Sequence, residues 1–196
     1  MNLAELLQGS GLVPPESVQA VLKKLSDDSY RWMVCAPDEV QPRLQGDILD
    51  NIPAAAIFAD GSAKRRVGKA MVINTACDLQ PLRSEFINVA VVQDFTPFAQ
   101  IVMSKDERKA ENLLRSVKKN EKDEFIYIPH CAEFPDAAIV RLDMISTISP
   151  SIYDVALGKG DRRATLTMYG YYYLQMKLTR YFARPEPAEV SRETLE

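Results

Sequence analysis

Short apolar runs separated by turn signals fill the middle of the chain, and helical periodicity marks its two ends. The runs predict strands at Gly46–Leu49, Ala54–Ala59, Lys69–Asn74, Phe86–Val92, Phe125–Ile128 and Ala138–Ile145, with Arg31–Cys35 as a short lead-in strand carrying a core Trp32. Asp60-Gly61 is a hairpin-type dipeptide between two of these strands. At the N-terminal end Leu3, Leu6 and Leu7 share one helical face. After the Pro14-Pro15 break, Val18, Val21, Leu22 and Leu25 recur at i, i+3, i+4 and i+7. Ser104–Asn120 reads as an inserted helix, opened by a Ser104/Glu107 capping box and striped by Ala110, Leu113, Leu114 and Val117. A last helix is predicted over Leu166–Phe182 with Thr165 as its N-cap. Its apolar residues occupy two faces, so its own domain and a further element, the N-terminal helices or a second copy of the chain, are expected to bury it.

Close-spaced short strands favour a mainly β, α+β fold, either a small barrel or a strongly bent antiparallel sheet, over a parallel βαβ layout. The expected plan is one domain over 1–185: a helical extension at 1–40, a core at 45–150 with the inserted helix at 104–120, and a C-terminal helix at 165–183. A disordered tail is expected at 186–196.

Composition changes this picture little. Of 196 residues, 46% are hydrophobic and 26% charged, enough for a sizeable core. The net charge of −3 belongs to the tail, where four Glu face one Arg, so residues 1–185 sum to zero and local patches decide partners. No run of about 18 apolar residues is present and the first residues do not form a secretory signal. Three scattered cysteines, Cys35, Cys77 and Cys131, favour a reducing, cytoplasmic setting.

The stretch Ala70–Leu79, AMVINTACDL, organises the chemistry: an apolar strand that ends in a polar turn with Cys77 and Asp78. A cysteine becomes a nucleophile when a nearby cation holds its thiolate, and His130 is the sole histidine, so Cys77, Asp78 and His130 form one candidate set. The competing reading makes Cys77 a small structural residue and Asp78 a turn cap, and it is preferred because residue identity without proximity is weak. No CxxC or HxxxH spacing exists for zinc, and no cofactor is implied. Lys64, Arg65, Arg66 and Lys69 place four cations within six residues, in a segment expected to be a loop able to hold RNA backbone. The predicted inserted helix adds a basic face that includes Lys105, Arg108, Lys109, Arg115, Lys119 and Lys122. Arg162-Arg163 is a third patch, which Asp154 or Asp161 could equally pair. Tyr171-Tyr172-Tyr173 point about 100° apart on a helix, so core packing explains them better than a stacking platform.

The order GDIL (Gly46–Leu49), a basic segment, GKAMVIN (Gly68–Asn74) and INVAVV (Ile87–Val92) resembles the MazF/PemK-like toxin family over roughly Gly46–Gln93. The resemblance implies an SH3-like barrel and, in toxin members of toxin–antitoxin pairs, metal-independent endoribonuclease activity on single-stranded RNA. An arginine before a proline in the second motif and a threonine or serine after the next strand carry that activity. Here Val67-Gly68-Lys69 stands where the Arg-Pro pair is expected, which leaves Arg65 or Arg66 for the arginine, and Thr96 is the nearest threonine. The catalytic candidates are therefore Arg65, Arg66, Thr96, Cys77 and Asp78. The nucleic-acid-binding candidates are Lys64, Arg65, Arg66, Lys69, Arg108 and Lys109. Two further readings stand beside it: a non-catalytic interaction module or oligomeric scaffold using the 166–182 helix, and a Cys77-dependent enzyme.

Overall fold

The computed structural model describes residues 13, 15–27, 29–38, 42–57, 59–104 and 107–183. Helix α1 is Val18–Leu25, and the strands are β1 (Val34–Cys35), β2 (Ile48–Ile57), β3 (Ala63–Val72), β4 (Ile87–Asp94), β5 (Phe125–Ile128), β6 (Ala138–Ile148) and β7 (Arg162–Leu166). Between and after them lie α2 (Phe95–Met103), α3 (Glu107–Lys118), α4 (Pro150–Gly158) and α5 (Met168–Phe182). The strands form one seven-stranded antiparallel sheet in the order β1-β7-β2-β3-β4-β6-β5. The sheet is open, so the fold takes the bent-sheet form of the α+β expectation.

Alternation along each strand feeds both faces. On one face Ile48, Met71, Ala90, Val92, Ile126, Ile128 and Val140 meet Val18 and Val21 of α1 and Leu174 and Met176 of α5. On the other, Leu49, Ile52, Ala70, Val72, Val89 and Ile148 meet Tyr153 and Ala156 of α4. Beside them Phe125 and Ile139 meet Phe95 and Phe98 of α2 and Val117 of α3. Helix α5 thus lies between its own sheet and α1, which supplies the second burying surface. Tyr173 packs its ring 6.0 Å from Tyr30 and 5.9 Å from Trp32, as core aromatics do.

Several boundaries differ from the sequence expectation. The runs at 46–49 and 54–59 belong to a single strand, β2, bent at a bulge where the register slips between Leu49 and Ile52 and Asn51 takes φ +59°. Pro53 is tolerated because β2 pairs β7 only as far as Leu49 and is an edge beyond it. The segment expected as a basic loop is strand β3, since Ala63–Val67 pairs residue for residue with Pro53–Ile57 across the Asp60-Gly61 turn. Ser104 does not open a helix. It is the C-cap of α2, and its hydroxyl donates to the Ile101 carbonyl at 2.8 Å. Pro97 in the first turn of α2 lacks only an N–H that would be orphaned there anyway.

The last helix starts at Met168, because Arg162–Leu166 is drawn into the sheet between β1 and β2. Its cap is Thr167, whose Oγ1 accepts from Gly170 N–H (3.1 Å) and donates to the Trp32 carbonyl (2.6 Å). Gly170 is required there, since a Cβ would stand 2.1 Å from the Met33 carbonyl oxygen. Helix α4 carried a readable start signal, Ser149 before Pro150 at N1, that the strand pattern around it obscured. The Leu3–Leu7 helix and the 186–196 tail lie outside the described residues.

Candidate nucleic-acid interface

Strand β3, AKRRVGKAMV, starts exposed and ends buried. Its first half forms with β2 a hairpin that runs past the last β4 partner, Lys69↔Val92. Alternation sends Lys64, Arg66 and Gly68 to one face and Arg65, Val67 and Lys69 to the other. Across the ladder Ala54 faces Arg66, Ala55 faces Arg65 and Ala56 faces Lys64. Lys64, Arg65 and Arg66 are exposed, and among the described residues none of their side chains makes an ion pair or a hydrogen bond.

At the root of the hairpin a cleft of about 560 Å³ opens between the β2 bulge, the end of β4 and α2. Its charged lining is Arg66, Lys69, Arg163, Asp50 and Asp94, and Pro97, Phe98 and Ile101 give it an apolar wall. Lys69 Nζ donates to Asp94 at 2.6 Å, and Arg163 forks onto Asp50 at 2.9 and 2.7 Å. The hydrogen bond to Asp50 holds the Arg163 guanidinium above even its usual pKa. Two of the three cations are therefore neutralised in place, and Arg66 is the one left to meet an external anion. A phosphate beside a flat apolar group is the ligand chemistry such a lining admits.

The other candidates separate. Val72 and Ile87 lie at one end of the sheet, while Asp94 and Ile128 share the partner Ala138 at the other. Cys77 follows β3 at the first end and His130 follows β5 at the second, so the proposed Cys77–Asp78–His130 set does not assemble. His130 Nδ1–H donates to the Pro135 carbonyl at 2.6 Å. Cys77 and Asp78 are exposed in a turn closed by Thr75, whose hydroxyl donates to Asp78 Oδ2 at 2.8 Å, which is the structural reading of that motif. Cys35 and Cys131 are half-buried, and burial pushes both thiols up, away from nucleophilic use. No cluster of three His, Cys, Asp or Glu suited to a metal ion occurs among the described residues.

Arg65 points to the face of β3 opposite Arg66. Thr96 is exposed in the first turn of α2 but does not line the cleft. Lys109 is exposed on α3, and the side chain of Arg108 lies outside the described residues. Arg162 and Arg163 do not pair with Asp154 or Asp161. Arg162 lies against Asp47 (3.4 Å) and Arg163 takes Asp50, while Asp154 holds Arg43 and Asp161 accepts from Asn51. Sequence reasoning missed Asp50, Gln93 and Asp94 as cleft residues. Only the bulge and the β7 insertion bring them together, and no spacing along the chain signals that. No helix of the described residues is long and apolar enough to cross a membrane. No protein-family model, curated protein or solved structure shows significant similarity to the chain.

Proposed function

We propose that the protein is a MazF/PemK-like nucleic-acid-binding protein that holds single-stranded RNA along the β2–β3 hairpin and in the cleft at its root. The observation that carries this reading is the set of three exposed cations, Lys64, Arg65 and Arg66, on a projecting hairpin without an ion-pair partner among the described residues. Cations without a protein partner give up no ion pair on meeting phosphates, and they release counterions when they do. An SH3-like barrel origin for the bent sheet belongs to the same proposal. Contact between β2 and β6, through Ala55 N–H donating to Ser146 Oγ at 3.3 Å, supports it.

The geometry favours binding over cleavage. Of the five catalytic candidates, the cleft collects Arg66 alone, and an arginine can stabilise a developing phosphorane but cannot by itself take the 2′-hydroxyl proton. The titratable neighbours, Asp50 and Asp94, are already committed to Arg163 and Lys69. The scaffold reading keeps only a small surface: Leu174, Met176 and most other apolar residues of α5 pack within the chain, while Met168 and Phe182 stay exposed.

The test is a titration of labelled single-stranded RNA at two salt concentrations, with a cleavage gel run on the same samples. Salt-dependent binding without discrete cleavage is expected. Discrete cleavage that stops with Arg66→Ala would replace the binding-only reading with a nuclease, and absence of binding at low salt would overturn the proposal.

A further inference from the structure

A second concavity, of about 570 Å³, lies on the inner face of the same hairpin, between Ala54–Ala56 and the Asp143–Ser146 stretch of β6. Two irregularities create it. The β4–β6 register jumps from Ala90↔Ile145 to Val91↔Arg141, which leaves the three residues 142–144 of β6 without a β4 partner. Opposite them β2 carries three consecutive alanines. Alanine is a poor strand residue, and here its small size is what leaves the space: Ala54 and Ala56 share the inner face with Arg66 and Lys64, so two cations stand directly across from the alanine floor. Val91, Met144 and Ile145 complete the apolar lining. The one carboxylate present, Asp143, is taken up by the guanidinium of Arg141 through two contacts of 2.6 Å. Ser146 Oγ accepts from Ala55 N–H and keeps its own O–H to donate.

Arg66 lines both this groove and the cleft at the hairpin root. Resting on the RNA-binding reading, we infer that the groove is a nucleobase pocket: one nucleotide of the bound strand places its phosphate on Arg66 and Lys64 and its base on the floor of Ala54, Ala56, Met144 and Ile145, with Ser146 O–H facing its polar edge. The chemistry selects a base over a second phosphate. The floor offers no donor for an anion, and an unpaired phosphate would lose its hydration there. A base presents an apolar face whatever its identity, and stacking on an apolar floor is tolerant of which base it is. The cations at the rim then fix the strand, and the groove rewards the presence of a base.

The experiment compares a short single-stranded RNA with an abasic ribose-phosphate oligonucleotide of the same length, by fluorescence anisotropy at one low salt concentration. The wild-type protein should bind the base-bearing strand roughly tenfold more tightly. Ala56→Leu, at an exposed position that tolerates a larger side chain, should lower that affinity to the abasic level. It should leave abasic binding within about twofold and the melting temperature unchanged. Arg66→Ala should weaken both ligands. Equal wild-type affinity for the two strands, or a preference that survives Ala56→Leu, would overturn the pocket while leaving phosphate binding by the hairpin intact. Failure of both strands to bind would overturn the RNA-binding reading and the pocket with it.

Discussion

The charge cluster at one end of the sheet and the cations of the hairpin at the other are used in opposite ways. At the Val72 end Asp47 is fully buried beside an Arg162 side chain only 7% exposed, 3.4 Å away. Asp47 Oδ2 accepts from the Tyr153 hydroxyl and from Leu44 N–H, and burial and the Asp47 charge together push the Tyr153 phenol up. Arg43 closes the cluster by holding Asp154, donating to the Leu79 carbonyl at 3.1 Å and lying over the Tyr153 ring. Arg43, Asp47, Asp154 and Arg162 are all spent on joining the 42–47 segment, α4 and β7. At the hairpin end Lys64, Arg65 and Arg66 stand in solvent on a ladder that needs none of them for its own hydrogen bonds. Charge density does not distinguish a structural network from a binding surface. Burial and the presence of a partner do.

Breaking the buried network has the largest expected effect. Asp47→Asn removes the buried carboxylate that faces the Arg162 guanidinium at 3.4 Å and should lower stability by about 3–5 kcal/mol. Urea denaturation reads this, and a loss under about 1 kcal/mol would put the cluster on the same footing as the hairpin. The mirror experiment removes the exposed charges. A Lys64, Arg65 and Arg66 triple alanine variant should change stability by no more than about 0.5 kcal/mol, yet reduce the salt slope of RNA binding by about 2, at ~0.7 per phosphate contact. A large stability loss without a change in slope would assign the hairpin cations to the fold.

Lys177 sharpens the comparison, since it is buried like Asp47 but its ammonium rests on neutral groups. Nζ donates to the Asn120 and Lys122 carbonyls at 2.6 Å each, capping the chain after α3. Burial lowers its pKa from 10.5 to about 8, opposed by Asp123 and assisted by Arg180. Below about pH 8 both folded and unfolded chains hold the proton, and the burial penalty stands in full. Between about 8 and 10.5 the unfolded chain keeps a proton that the folded chain has released, so stability contributed by Lys177 rises with pH. The stability of the native protein relative to Lys177→Met should therefore increase from about pH 7 to about pH 9.5. A flat difference between the two denaturation series would remove the burial argument. The smallest effect is expected at the Cys77 turn, where Cys77→Ser should shift stability by less than about 0.5 kcal/mol and leave RNA affinity unchanged, as its exposed, unpartnered position requires. A loss of activity there would return chemistry to that turn.

Much of the fold was readable. Periodicity located α1, all six predicted runs of the core (which fall on the five strands β2–β6) and the amphipathic body of α3, and the Asp60-Gly61 dipeptide identified the hairpin. The failures share a cause. RRATL reads as a loop before a helix until the sheet supplies neighbours on both sides, and KRRVGK reads as a loop because an exposed strand has no apolar alternation to show. FTPFAQIVM hides a helix start behind Pro97, although proline in a first turn is permitted.

The site divides along the same line. Read along the chain alone, cations cluster at 64–69, three alanines stand at 54–56 and Cys77 lies in a polar turn after an apolar strand, because composition and local spacing are properties of the chain. Tertiary structure alone decided which of those charges is neutralised. It set Asp50 on Arg163, Asp94 on Lys69 and Asp47 beside Arg162, across separations of more than 20 residues in each case, and it carried His130 to the end of the sheet away from Cys77. Pairing and burial are relations between distant residues. A charge's role is fixed by its partner and its exposure, and neither is written at the position of the charge.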